Sequence, residues 1–389
     1  MRIIVAPDSY KGSLSAVAVA QAMEVGILSV FPTAQVHKVP IADGGEGTVE
    51  AFITATGGQM LYQTVSDPLG NPIEAYWGIL GDGETAVIEM ASASGLPLVP
   101  PDKRDPRITT TYGTGQLIKA ALEKGIRKLI IGIGGSATND GGAGMAQALG
   151  ARFLDQDGRE IPYGGAALAD LASIDLTNID PRLAQTAISV ACDVDNPLCG
   201  EKGASAVYGP QKGATPALVA QLDQALNQFA TVAKAATGRD IAEYPGAGAA
   251  GGLGAGLLFF TNAQLRPGVE LILDITDFES IVQGASLVIT GEGATDFQTA
   301  FGKAPVGVAK IASQYQVPTL CLSGTLGQGC ETVLQQGISG LMSITPRPLS
   351  LEECLNCAQE LVQDASARLC QTLRVGMEIE AAFRKEDQS

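Results

Sequence analysis

The chain has 389 residues, 46% hydrophobic and 17% charged, which predicts a folded protein of two or three domains and excludes a disordered chain. Its 41 acidic residues outweigh 25 basic ones, a formal charge of -16 with no basic stripe, so nucleic acid is not an expected partner. The apolar run after Arg2 stops at Pro7-Asp8, too short for a secretion signal, and the run from Pro245 to Phe260 is broken by Gly. A cytoplasmic protein without membrane attachment is expected.

Strands and helices alternate from the start. Arg2 to Ala6 reads as a strand and Ser13 to Ser29 as a helix opened by Ser. Val36 to Pro40 is the next strand and Thr48 to Thr56 the next helix, closed by Gly57-Gly58. Short apolar strands in β-α-β-α order imply a parallel sheet covered on both faces. Between Tyr62 and Met90 the pattern changes to alternating segments joined by Pro-Leu-Gly-Asn-Pro and Gly-Asp-Gly, which read as antiparallel strands with tight turns.

Beyond a Pro-rich link from Leu96 to Pro106 the α/β pattern returns. Helix Gly115 to Lys124 leads to strand Lys128 to Ile133, a Gly-rich turn and helix Ala143 to Leu149; a long helix follows from Thr215 to Thr237. From Leu287 the texture of the opening is back, with helix Val306 to Tyr315, strand Thr319 to Ser323 and a helix from Ser350. The expected architecture is α/β: a Rossmann-like domain, residues 1-60 plus 286-380, interrupted by a second α/β domain, residues 61-285.

The seven Cys carry no redox or zinc pattern. Cys354-x-x-Cys357 falls in a helical segment, where its spacing puts both on one buried-looking face. His37, the only His, lies inside a strand, which argues against His-based chemistry, and Trp77 is expected in the core.

Ligands of open parallel sheets sit beyond the carboxyl ends of the strands, so the polar residues there are the candidates. After the first strand come Asp8, Ser9 and Lys11 with Gly12 (metal and phosphate groups at a helix start, or a plain cap with a surface Lys). After the second, Asp43 and Glu46 are interleaved with Gly44, Gly45 and Gly47, whose amides could approach a ligand. Gly132-x-Gly134-x-x-Ala137 matches a loose dinucleotide fingerprint with Asp155 at ribose distance, but Ser136, Thr138, Asn139 and Asp140 continue as a polar turn better suited to a polyol or carboxylate. Asp193 and Asp195 share one side of an extended segment as two hard oxygen ligands, and Lys212 follows in Gln-Lys-Gly. Last, Gly291, Glu292, Gly293, Asp296 and Lys303 stand in a segment resembling a phosphate loop, without Walker A spacing because Ala304 follows Gly302-Lys303.

In this order, Ala6–Ala16, Ala42–Thr48, Gly134–Gly144 and Gly291–Pro305 resemble the motifs of the type-1 glycerate kinase family over essentially the whole chain. Tyr10, where Phe is common, and Ala143, where Gly often stands, depart from them. The resemblance implies two α/β domains with the site in the cleft between them, and transfer of the ATP γ-phosphate to D-glycerate giving 2-phosphoglycerate. The 3-phosphate, or an NAD(P)-dependent hydroxy-acid dehydrogenase, are the alternatives.

Phosphoryl transfer needs positioning, metal and cationic stabilisation, and a carboxylate for the alcohol proton. Lys11 and Lys303 are assigned to the phosphate or the substrate carboxylate, Asp193 and Asp195 to Mg²⁺, and Asp296 to the base, with Asp8 or Asp43 in reserve. Ser9, Glu46, Ser136, Asn139, Asp140, Lys212, Glu292 and the amides of Gly44, Gly45, Gly291 and Gly293 are the substrate- and nucleotide-binding candidates. A monomer or homodimer is expected.

Overall fold

The computed structural model describes residues 1–386. The chain divides into two compact units. One comprises Met1–Ala42, Glu50–Ala55 and the chain from Ile272 onward; the other comprises Asp43–Val49 and Thr56–Leu271. These units depart from the expected bounds at residues 43–49, 56–60 and 272–285. The loop 43–49 groups with the second unit because the Gly44 carbonyl accepts from Gly134 N at 2.9 Å, and residues 272–285 group with the first.

The first unit holds five parallel strands in the order Gly340–Ser343, Thr319–Ser323, Leu287–Gly291, Arg2–Pro7, Gln35–Lys38. Numbered along the chain this is 2-1-3-4-5, a doubly wound order whose switch point lies between the Arg2–Pro7 and Leu287–Gly291 strands. Ile3, Ile4, Val5, Val288 and Ile289 are fully buried, as strands covered on both faces require. The Ala16–Val30 helix is started by the Ser15 side chain, which accepts from Ala18 N at 3.3 Å. It packs so closely on the Ala358–Glu386 helix that a Cβ on Gly26 would lie 2.2 Å from Gln363 O.

The single helix expected from Ser350 is two. Leu351–Asn356 opens with a capping box between Ser350 and Glu353, stops at Cys357, and Ala358–Glu386 follows. Cys357 is the exposed cap residue, so Cys354 and Cys357 do not share a buried face; all seven Cys are free thiols.

The second unit holds a six-stranded sheet in the order Ala263–Arg266, Ala187–Ala191, Lys128–Gly132, Thr85–Glu89, Pro72–Ile79, Gln59–Ser66. The first four run parallel; the last two are the expected antiparallel hairpins, folded back through the Asp67–Gly70 turn. Trp77 is buried in the core beside Ile88, Leu117 and Ile131. A second cluster gathers Phe153, Phe229, Phe259 and Phe260 around the Pro216–Thr237 helix, which Thr215 caps. The Gly-rich Ala249–Phe260 helix is interrupted at Ala250, Gly251 and Gly252, all at positive φ; a Cβ on Gly251 would lie 2.0 Å from Thr138 O. Among the described residues no helix is long and apolar enough to cross a membrane.

Candidate active site

In the first unit the polar residues collect at the switch point. Asp8 N donates to Gly291 O at 2.8 Å, which ties the ends of the two central strands together. Tyr10 then turns inward, and its hydroxyl donates to Leu322 O at 2.6 Å. This departure from the commoner Phe therefore has a partner, and it pins the Asp8–Lys11 loop to the sheet. Ser9 N donates to Asp8 Oδ1 at 2.6 Å, while Lys11 and Gly12 stand exposed. Gly291 lies within the buried strand; a Cβ there would meet Leu322 O at 1.8 Å, so its glycine serves backbone packing rather than a ligand.

Glu292 follows directly and is buried. Its Oε1 accepts from Thr295 Oγ1 at 3.0 Å and Thr299 Oγ1 at 2.6 Å, and burial holds its carboxyl above the usual range despite both bonds. Asp296 caps the Phe297–Phe301 turn, accepting from Gln298 N at 2.8 Å through Oδ1. The cap is a capping box, so the carboxylate also meets the backbone N–H of Thr299 while Thr299 Oγ1 accepts from Asp296 N at 3.2 Å, and Lys303 Nζ lies 3.9 Å from Oδ1. Lys303 is exposed and opens the Ala304–Gln314 helix, whose N-terminus adds partial positive charge. A cation, an oriented carboxylate and a helix start thus stand on one stretch of chain.

In the second unit the loop 43–49 lies on the carboxyl ends of the parallel strands. It is seated by backbone contact. A Cβ on Gly132 would lie 2.5 Å from Gly44 O, one on Gly134 would lie 2.7 Å from Gly45 Cα, and one on Gly268 would lie 2.7 Å from the Asp43 carbonyl carbon. Of the two amides expected to face a ligand, that of Gly45 is engaged within the loop. Gly44, at φ +86, is packed on Ala191, and Gly45 N donates to Asp43 Oδ1 at 3.1 Å. Glu46 is exposed.

Beneath this loop lies Glu89, the last residue of the buried Thr85–Glu89 strand and not among the expected site residues. It is fully buried, and its carboxylate accepts from Val49 N at 3.4 Å and Tyr76 OH at 3.1 Å. Burial pushes its pKa up to about 7, with the Glu46 charge adding to the shift. An acid at the last position of a buried strand was the available signal.

The Gly134–Asp140 turn is more buried than a ligand loop needs to be. Asp140 is wholly enclosed and accepts from Thr111 N at 2.8 Å, Thr111 Oγ1 at 2.9 Å, Gly142 N at 3.2 Å and Gly144 N at 3.3 Å. It joins the starts of the Tyr112–Glu123 and Ala143–Ala148 helices. Its expected contact with substrate is replaced by this structural role, and burial holds its carboxyl above the usual range. Asn139 is also buried, its Nδ2 donating to Ser205 Oγ at 3.0 Å. Lys212, expected to face a phosphate, is 1% exposed, and its Nζ donates to Ser136 Oγ at 2.7 Å and Thr138 O at 2.6 Å. Asp193 and Asp195 are exposed beyond the Ala187–Ala191 strand, with Asp193 Oδ1 accepting from Gly268 N at 3.0 Å.

The dinucleotide fingerprint does not hold. Gly132 and Gly134 give up their Cβ atoms to the 43–49 loop, so that backbone, not a pyrophosphate, fills the space. Asp155 closes an exposed turn, accepting from Asp157 N and Arg159 N, beside a small hairpin outside the main sheet. A phosphotransferase is what the edge chemistry favours.

A profile described as the glycerate kinase family matches residues 3–374. The chain belongs to the glycerate kinase family. It is therefore an enzyme, a phosphotransferase with an alcohol group as acceptor. The glycerate kinase of Bacillus subtilis (strain 168) is 54% identical over 375 residues, 96% of this chain and 98% of its own. The glycerate 2-kinase of Escherichia coli (strain K12) is 51% identical over 377 residues, 97% of this chain and 99% of its own. A solved structure from Salmonella typhimurium LT2 that carries the name glycerate kinase 2 is 49% identical with a TM-score of 0.88, covering 97% of this chain and 99% of that one. A small-molecule substrate and the use of ATP follow from membership in a kinase family.

Proposed function

We propose that the protein transfers the γ-phosphate of ATP to the 2-hydroxyl of D-glycerate, giving 2-phospho-D-glycerate, in the cytoplasm and with Mg²⁺. The 51% identity to a protein named glycerate 2-kinase favours the 2-position. The observation that carries the chemistry is the Asp296–Lys303 pair at 3.9 Å beside a helix N-terminus, a carboxylate and a cation held at a strand end.

Asp296 is the proposed base. The cap fixes the orientation of its carboxylate, which stays part-exposed to accept the alcohol proton, as general-base transfer requires. Lys303 and Lys11 stabilise transferring phosphate by charge, the main protein contribution in phosphoryl transfer. Ser9 and Glu292 support the nucleotide side, and Asp8 and Asp43 remain the reserve acids. Ser136 binds the acid substrate.

Among the described residues no three His, Cys, Asp or Glu side chains gather as a metal cage. That donor set still fits Mg²⁺, which is commonly held by one or two carboxylates plus substrate phosphates rather than by a protein cage. Asp193 and Asp195 would hold it. When bound, Mg²⁺ neutralises charge on the nucleotide phosphates. Neither a monomer nor a homodimer is favoured by these features.

The test is incubation with ATP, Mg²⁺ and D-glycerate, coupled to enolase with and without phosphoglycerate mutase. Signal without mutase is expected. Signal only with mutase means the 3-phosphate, and silence in both would sink the glycerate reading.

A further inference from the structure

Lys212 sits on the Pro210–Lys212 turn after the Ala204–Tyr208 helix, and Gly213 ends that turn at φ +98. Of its three ammonium hydrogens, two are directed at Ser136 Oγ and Thr138 O. Among the described residues Lys212 forms no ion pair. Asp140 is the charge that acts on it, from the 134–141 turn, and its oxygens are engaged by Thr111, Gly142 and Gly144. On the adjoining helix Tyr208 turns its hydroxyl to Asn196 Oδ1 at 2.6 Å. Behind Gly213, Arg104 presents its carbonyl, and its Nε reaches Val99 O at 3.5 Å.

A hydroxyl has one hydrogen. Ser136 Oγ spends a lone pair on Lys212, and among the described residues its own hydrogen has no acceptor. On the same turn, Thr138 Oγ1 and Asn139 Oδ1 are buried polar atoms without a hydrogen-bond partner. Buried groups of this kind are rarely left unpaired unless something else completes them. Ser136 is the one at the surface end of this set, next to the exposed Gly135.

We propose that Lys212 is a positioning residue: by occupying the Ser136 oxygen it turns the Ser136 hydroxyl hydrogen toward the carboxylate of the hydroxy acid. This rests on the glycerate kinase reading above. An ammonium only donates, whereas a neutral amine keeps a lone pair that accepts the Ser136 hydrogen. Loss of the Lys212 proton lets the bond invert, with a remaining N–H kept on Thr138 O and the new lone pair facing Ser136, and Ser136 then offers an anion a lone pair instead of a hydrogen. Burial lowers the Lys212 pKa to about 7, so the inversion falls within the working pH range. The sign follows: the anion binds the protonated form, and affinity falls as pH rises through about 7. A substrate α-carboxyl, with an ordinary pKa of about 3.5, does not titrate there.

The experiment measures KM and kcat for D-glycerate from pH 6 to 9 at saturating ATP and Mg²⁺, using the full chain. Linkage to one proton predicts that KM rises roughly tenfold per pH unit above the Lys212 pKa, with kcat changing less. Ser136→Ala should raise KM at pH 6.5 and flatten its pH profile, and Lys212→Met should do the same. Glu89 also titrates near 7 with the same sign, so Glu89→Gln must keep the slope. Should Lys212→Met fail to fold, the wild type, Ser136→Ala and Glu89→Gln decide the matter. A flat wild-type KM overturns the inference, as does a slope that persists in Ser136→Ala or vanishes in Glu89→Gln. Absence of turnover at every pH defeats the kinase reading itself, and the inference falls with it.

Discussion

Replacing Gly134 by Ala tests whether backbone-to-backbone seating of the 43–49 loop governs activity. The added Cβ would lie 2.7 Å from Gly45 Cα and 3.1 Å from Gly45 N. Carbon pairs prefer about 3.5–4.0 Å, so the loop must move by roughly 1 Å. Gly134 has no positive φ, so the perturbation is steric and brings no backbone strain of its own. Overpacking of this size costs about 1–3 kcal/mol in stability, while a displacement of about 1 Å near a reacting group costs on the order of 100-fold in rate. The two effects separate: kcat/KM for D-glycerate should fall about 100-fold in a protein that still unfolds cooperatively in urea. Gly376→Ala serves as the control, because nothing lies within 4 Å of the Cβ it would carry and its helix is exposed there. That variant should gain about 0.5–1 kcal/mol with unchanged turnover. Wild-type kcat/KM in Gly134→Ala would refute the claim that this loop's seat governs the chemistry.

Asp296→Asn keeps the cap on Gln298 but removes the proton acceptor, so kcat should drop by about 100-fold or more while KM for glycerate changes little; near-normal kcat removes Asp296 from the role. Glu89 has a folded pKa of about 7, above its ordinary 4.5, so the folded state holds this proton more tightly and stability falls as pH rises from about 5 to 7. Glu89→Gln removes that slope, about 2 kcal/mol over this range, and urea unfolding of both proteins at pH 5 and 7 would reveal parallel curves if the burial argument is wrong. Gly26→Ala should lower stability by about 1–2 kcal/mol, read by thermal melting, because the overlap with Gln363 O at 2.2 Å outweighs the better helix propensity of Ala.

The α/β architecture was legible because both central sheets are built from short apolar runs followed by amphipathic helices with visible starts. Ser15, Thr215 and Ser350 cap helices within a few residues of where sequence places them. Ala263–Arg266 and Gly340–Ser343 were not legible as strands. Each has only four residues and a mixed composition at a sheet edge, and only pairing with Ala187–Ala191 or Thr319–Ser323 makes it a strand. The break at Cys357 was hidden for a related reason. A capping box marks the start at Ser350, but no Gly or Pro marks the stop.

The chain assignments of the 43–49 loop and of the carboxylates were less legible, because a glycine or an acid reads the same whether it meets a ligand or the protein. Gly44, Gly132 and Gly134 stand in ligand-like motifs, yet each makes room for neighbouring backbone. Asp140 and Asp296 both lie in polar, Gly-flanked turns; one is sealed by donors from Thr110, Thr111, Gly142 and Gly144, the other stays part-exposed at a cap. Burial separates them, and burial depends on what folds over the turn from distant sequence. Thr111, some thirty positions before Asp140, supplies two of its donors. The acids left wholly or partly exposed, Asp193 and Asp195 with Asp296, are therefore the ones with capacity for proton and metal chemistry. Glu89 and Asp140 hold the scaffold on which that chemistry is carried.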